Sequence, residues 1–115
     1  MKTSGYAPVN GLRMYYEIDG EGSPLVFIRR HLAVADVRGQ PALTRTHRVV
    51  TFDLQGHGRT ADIAERPMSL QQHARDIVGL LDHLGISNAD FLGESYGGAT
   101  AILVALHRPK LIRRI

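Results

Sequence analysis

Gly93-Glu94-Ser95-Tyr96-Gly97 reads G-x-S-x-G, and its flanks decide how it is understood. Ahead of it stands a short apolar run, Ala89-Asp90-Phe91-Leu92, and behind it Ala99 to His107 has the composition of a helix. A serine on a tight strand-to-helix turn has its Oγ pushed out into solvent. Glycines on either side let the backbone make the turn and leave room for a substrate. The pattern nominates Ser95 as a nucleophile. Gly97 and Gly98 are read as permitting close helix–strand packing. Phosphate binding is disfavoured because the chain has no G-K-[ST] beside a glycine turn.

Working back from that turn, Ser69 to Leu84 is a well-marked helix. Ser69 and Gln72 form a capping box. Leu70, Ala74, Ile77, Val78, Leu81 and Leu84 fall on one face at helical spacing, and Gly85 stops the run. Arg48-Val49-Val50-Thr51-Phe52 and Leu25-Val26-Phe27-Ile28 are continuous apolar runs without alternation, as expected of strands covered on both faces. Met14 to Asp19 is a further strand, ended by the turn Asp19-Gly20-Glu21-Gly22-Ser23-Pro24. A short helix is expected near Ala42 to Thr46. Beyond the last helix, closed by Pro109, Leu111 to Ile115 reads as the approach to another strand that is cut off. Strands alternating with helices imply an α/β fold with a doubly wound, mostly parallel sheet. Ligands of such sheets sit at the carboxyl ends of the strands. Arg29, Asp53 and Ser95 each follow a strand, so their loops should open on one edge.

The bulk properties narrow the function classes. A chain of 115 residues makes one domain at most. Its longest apolar stretch, Ala99 to Leu106, falls short of the roughly 20 residues a bilayer span needs. Lys2 is followed by no apolar core, so no signal peptide is expected. The absence of cysteine removes disulfides and thiolate chemistry and fits a reducing, cytoplasmic setting. Net charge is +3. The clusters Arg29-Arg30-His31 and His107-Arg108-Lys110-Arg113-Arg114 are read as polar ends of elements, since few aromatics are interleaved for nucleic acid. No pair of histidines has zinc-site spacing with a third ligand nearby, so no metal is expected. His57, in Gly56-His57-Gly58, is read as a loop histidine packed on neighbouring turns, although it and His31 are the two candidates for a general base. His73 and His83 are expected on the solvated face of their helix. Asp53 is read as organising its loop by accepting backbone N–H bonds, with Arg59 pairing to it or to Asp62.

Three segments in order carry a resemblance: Pro24-Leu25-Val26-Phe27-Ile28, Asp53-Leu54-Gln55-Gly56-His57-Gly58-Arg59-Thr60, and Gly93-Glu94-Ser95-Tyr96-Gly97-Gly98. Together with a helix ending His83-Leu84-Gly85 between the last two, they make the chain resemble the N-terminal half of an α/β-hydrolase of the esterase, lipase and peroxidase-like branch. The resemblance implies one partial three-layer domain over residues 1–115, ending after the helix that follows the serine turn. It implies Ser95 as nucleophile and Gly93, Gly97 and Gly98 as elbow glycines. The backbone N–H of Tyr96 would be one oxyanion donor. Arg29-Arg30 stand where the family has His-Gly, which moves the second donor onto His31.

The implied chemistry is acyl transfer on a small ester, thioester or amide, without metal or organic cofactor. The family's acid and histidine follow later strands, so the isolated chain is expected to be catalytically incomplete. A non-catalytic homologue or half-domain, associating with itself or with a C-terminal partner, stays open beside the hydrolase. Ala89 to Leu92 is expected to become an exposed sheet edge, prone to self-association. A nucleotide- or acyl-carrier-binding module rests on the glycine turn alone.

Overall fold

A computed structural model describes residues 2–29 and 41–115. Its centre is a six-stranded sheet in the order β1-β2-β4-β3-β5-β6. The strands are β1 (Thr3–Val9), β2 (Leu12–Asp19), β3 (Ser23–Ile28), β4 (His47–Phe52), β5 (Ala89–Gly93) and β6 (Ile112–Arg114). β1, β2 and β4 pair antiparallel, whereas β4–β3, β3–β5 and β5–β6 pair parallel. The carboxyl ends of β4, β3 and β5 therefore lie on one edge, and the loops after Ile28, Phe52 and Gly93 open there together.

The helices are α1 (Pro41–Thr44), α2 (Leu70–His83) and α3 (Tyr96–His107). Strand alternation sorts the core onto two faces. Met14, Val26, Ile28, Val50, Phe52 and Phe91 point to α2 and α3, which answer with Ile77, Val78, Leu81, Ala101 and Val104. Leu25, Phe27 and Val49 point to the other face, where Leu43 of α1 packs on them. The unbroken apolar reading of β3 is thus the mark of a strand with helices on both sides.

Helix α2 is bounded as its sequence suggests. The Ser69 Oγ accepts the Gln72 N–H at 3.0 Å. Ile86 N–H reaches Leu81 O at 2.9 Å and Gly85 N–H reaches Asp82 O at 3.1 Å, the paired bonds of a Schellman stop. Only half of the expected capping box is used, because the Gln72 amide turns instead to Asp76.

Four expectations are corrected. β1 has no counterpart among the strands read from the sequence, although its signal was present. Asn10 and Gly11, at φ 48° and 86°, form a two-residue hairpin turn between Val9 and Leu12, and Asn-Gly is the favoured pair for that geometry. His73 is buried on α2, not solvated. The Arg59 guanidinium lies 4.5 Å over the Tyr15 ring and 3.9 Å from Glu17, its main-chain N–H and not its side chain meeting Asp53, while Asp62 accepts from Gln55. Finally, β5 is not the sheet edge. β6 pairs with it through Ala89–Ile112 and Asp90–Arg114, and Arg113 grips Asp90 with two bonds of 2.9 and 3.0 Å. Ile112–Arg114 therefore add a strand to the domain.

Candidate functional site

The edge shared by β4, β3 and β5 collects the groups that the sequence singles out. At the end of β4, the Asp53 carboxylate is buried and its Oδ2 accepts the Arg59 N–H at 2.8 Å. Thr60 closes the same loop, donating its hydroxyl to Asp53 O at 2.8 Å and accepting the Tyr15 N–H at 2.9 Å. Asp53 is therefore an organiser of its loop, as its D-x-x-G setting suggests. His57 follows; its Nδ1 sits 2.8 Å from Gln55 O and its ring meets that of His73 edge-on, with centroids 6.4 Å apart. His57 is packed on its own turn and against α2. Burial pushes the His73 imidazole below the ordinary histidine range, with lesser opposing and assisting effects from Asp76, His57 and Arg66.

At the ends of β3 and β5 the backbone closes very tightly. Ile28 stands beside Gly93 in the parallel register, and Glu94 N–H donates to Ile28 O at 3.0 Å. A Cβ on Gly93 would fall within 3.0 Å of the Gly97 carbonyl, and a Cβ on Gly97 would strike the Ile28 carbonyl. Side chains at these two positions would force the start of α3 off the strand ends. Gly98 carries no such constraint, since a Cβ there meets nothing closer than 3.7 Å. The close approach thus demands glycine at positions 93 and 97 and makes no such demand at position 98.

Between those glycines Ser95 has φ 55° and ψ −112°, far from any helix or strand conformation. It is exposed, and its hydroxyl caps nothing and makes no hydrogen bond among the described residues. Gly97 N–H turns to Glu94 O at 2.8 Å and Gly98 N–H to Ser95 O at 2.9 Å. The Tyr96 N–H is left as a first-turn donor with no acceptor among the described residues, next to the Ser95 hydroxyl at the positive end of α3. His31, the other expected donor, lies outside the described residues, as does Arg30. Among the described residues no group of three histidine, aspartate or glutamate side chains could hold a metal ion, and no helix is long and apolar enough to cross a membrane.

One contributor escaped the sequence reading. The Ile28 carbonyl anchors the turn from the neighbouring strand, and no side-chain pattern signals a main-chain acceptor. A separate cleft of about 230 Å³ opens between α2 and α3, bordered by Ala74, Arg75, Leu103 and Leu106. Ser95 does not line it.

Comparison with known proteins agrees with this architecture. A family model described as alpha/beta hydrolase fold matches residues 31–115. The dihydrolipoyllysine-residue acetyltransferase component of the acetoin cleaving system of Pseudomonas putida is 37% identical over 112 residues, a match covering 92% of this chain and 30% of that protein. The 2-hydroxymuconate semialdehyde hydrolase of Pseudomonas sp. strain CF600 is 35% identical over 115 residues, covering 91% of this chain and 39% of the relative. Among solved structures, a hydrolase from Pseudomonas aeruginosa PA01 superposes with a TM-score of 0.88 at 32% identity, over 97% of this chain and 44% of that one. The chain spans less than half the length of each of these proteins. Sheet order, strand–turn–helix geometry at Ser95 and a family match over most of the residues converge: the chain belongs to the α/β-hydrolase fold family.

Proposed function

We propose that the chain carries the nucleophilic serine of a hydrolase acting by acyl transfer on a small ester, thioester or amide. The observation that carries this reading is the Ser95 turn: an exposed hydroxyl on a strained backbone, beside the Tyr96 N–H at a helix N-terminus, neither with a hydrogen-bond partner among the described residues. In the proposed step the Ser95 Oγ bonds to the acyl carbon while the alkoxide, thiolate or amine departs. The hydroxyl proton passes to a base, and the developing oxyanion is met by the Tyr96 N–H. Donors already in place at such a site supply a large share of the rate enhancement in acyl transfer. The reading calls for neither metal nor organic cofactor, and for no nucleic-acid partner. A cytoplasmic location goes with it, supported by the cysteine-free composition.

Among the described residues no imidazole or carboxylate engages the Ser95 hydroxyl. An unactivated serine is a weak nucleophile, so the reading includes slow turnover by these 115 residues on their own. The test is treatment of the folded chain with a fluorophosphonate, location of the adduct by mass spectrometry, and Ser95→Ala beside it. An adduct on Ser95 that vanishes in the variant supports the reading. A folded chain that stays unlabelled at millimolar probe removes it.

A second reading is favoured by a different observation. Helix α3 is apolar nearly all round, yet Ile102 and Leu106 are 57% and 73% exposed. Such helices are normally covered. A half-domain that associates through this side, with itself or with a polypeptide completing the sheet beside β6, would account for it. Light scattering that returns a monomer at all concentrations, with cooperative unfolding, would count against self-association.

A further inference from the structure

Glu17 of β2 and Thr51 of β4 stand directly opposite each other in the antiparallel register. Side chains so paired share a face, with Cβ atoms about 4.5–5.5 Å apart. Strand alternation puts Thr51 on the face of Val49, the one turned away from α2 and α3. Both residues are buried, at 3% and 1% exposure. Neither the Glu17 Oε1 nor the Thr51 Oγ1 has a hydrogen-bond partner among the described residues. Glutamate carries its carboxylate farther from the sheet than threonine carries its hydroxyl, so the two do not meet. The other carboxylate oxygen is engaged, since the Tyr15 hydroxyl donates to Glu17 Oε2 at 2.7 Å. That bond, together with burial, holds the Tyr15 phenol above its ordinary range and keeps it a donor. Buried polar atoms are satisfied in the great majority of cases, by protein or by ordered water.

From this pair of facing, unbonded atoms we propose a binding site for one water molecule between Glu17 and Thr51. The water donates to Glu17 Oε1 and shares a second hydrogen bond with the Thr51 hydroxyl. Lys2 Nζ, 3.4 Å from Oε1, is a third polar group beside the same oxygen. A buried water needs two to four such partners. The surrounding charges select a neutral occupant. Lys2 and the Arg59 guanidinium, the latter 3.9 Å from Oε2, already flank the carboxylate, and a metal cation would be repelled by both. The water links β2 to β4 and fixes the carboxylate approached by Arg59, a residue of the loop that leaves β4 toward the reaction edge. The site does not depend on the reading of Ser95.

The test is ¹⁷O magnetic relaxation dispersion of the solvent, whose amplitude counts waters held in the protein far longer than surface hydration. Thr51→Val keeps the shape and removes the hydroxyl. Glu17→Met keeps much of the volume and removes the acceptor. Each, with folding confirmed by circular dichroism, is expected to lose one long-lived water relative to the unaltered chain. Thr51→Ser keeps the hydroxyl and should retain that water. An unchanged amplitude in either folded variant would overturn the proposal. So would an unaltered chain that holds no long-lived water at all, a result that needs no variant to fold. A slowly exchanging Thr51 hydroxyl proton whose Overhauser contacts run to the Glu17 side chain and not to water would show a direct bond between the two, and the site would again be refuted.

Discussion

At the scale of single residues, the Ser95 turn makes opposite forecasts for neighbouring positions. A non-glycine residue at φ 55°, ψ −112° carries strain of order 1–3 kcal/mol. Ser95→Gly is therefore expected to raise stability in urea by about 1 kcal/mol while abolishing fluorophosphonate labelling. Ser95→Ala should abolish labelling and leave stability nearly unchanged. Gly97→Ala pushes a methyl group into the Ile28 carbonyl and should cost on the order of 2 kcal/mol. Gly98→Ala meets ordinary contact distances inside α3 and should be neutral or stabilising by up to about 1 kcal/mol. If both alanine variants lose the same stability, the close approach of the strand ends does not set the turn. His73 adds a pH dependence. Its folded pKa lies below the unfolded value, so the unfolded chain binds the proton more readily. Its contribution is full above the ordinary histidine pKa and is lost as pH falls from about 6.5 toward the lowered folded value. Urea midpoints measured from pH 7.5 to 5 should decline, and His73→Leu should flatten that part of the slope.

At the scale of elements, the buried Asp76 carboxylate joins three pieces of chain. It accepts from Asn10 in the β1–β2 turn at 3.1 Å, from Gln72 one helical turn earlier at 3.1 Å, and from Arg66 in the loop before α2, 2.6 Å from its Oδ2. Removing one member of a buried pair leaves the other uncompensated. Asp76→Ala should cost about 3 kcal/mol in urea unfolding, and a loss below about 1 kcal/mol would mean that the loop relaxes to solvate Arg66. The hairpin that Asn10 belongs to was legible in Asn10-Gly11. Its docking onto α2 was not, because it depends on a carboxylate 66 residues away. The β6 strand shows the same division. Its apolar start was visible, but its hold on β5 comes from the Arg113–Asp90 fork, which keeps the Asp90 carboxyl below its usual range. Arg113→Ala should speed amide exchange at Asp90 and Phe91 with only about 1 kcal/mol lost globally, since Arg113 is well exposed.

At the scale of the molecule, the uncovered surface is concentrated beside β5, β6 and α3. Leu92, Ile102, Leu106 and Ile115 are each more than 40% exposed. The β6 edge ends in Arg113 and Arg114, charges that discourage edge-to-edge pairing. Any self-association is therefore expected through the apolar side of α3. Replacing both Ile102 and Leu106 with glutamate should shift light scattering toward monomer without lowering the unfolding midpoint. An unchanged mass distribution would place the contact elsewhere.

The sequence by itself determined the order of elements, the two-faced burial of β3 and β4, the limits of α2 and the strand–turn–helix around Ser95. Each of these is written in local periodicity, caps and glycine spacing, which depend on residues a few positions apart. Only the tertiary structure decided which strand covers β5, that His73 is buried against His57, that Arg59 turns to Tyr15 and Glu17, and that the Ile28 carbonyl anchors the serine turn. Those outcomes depend on groups brought together from distant parts of the chain, and a main-chain carbonyl or a buried face leaves no pattern in the order of side chains.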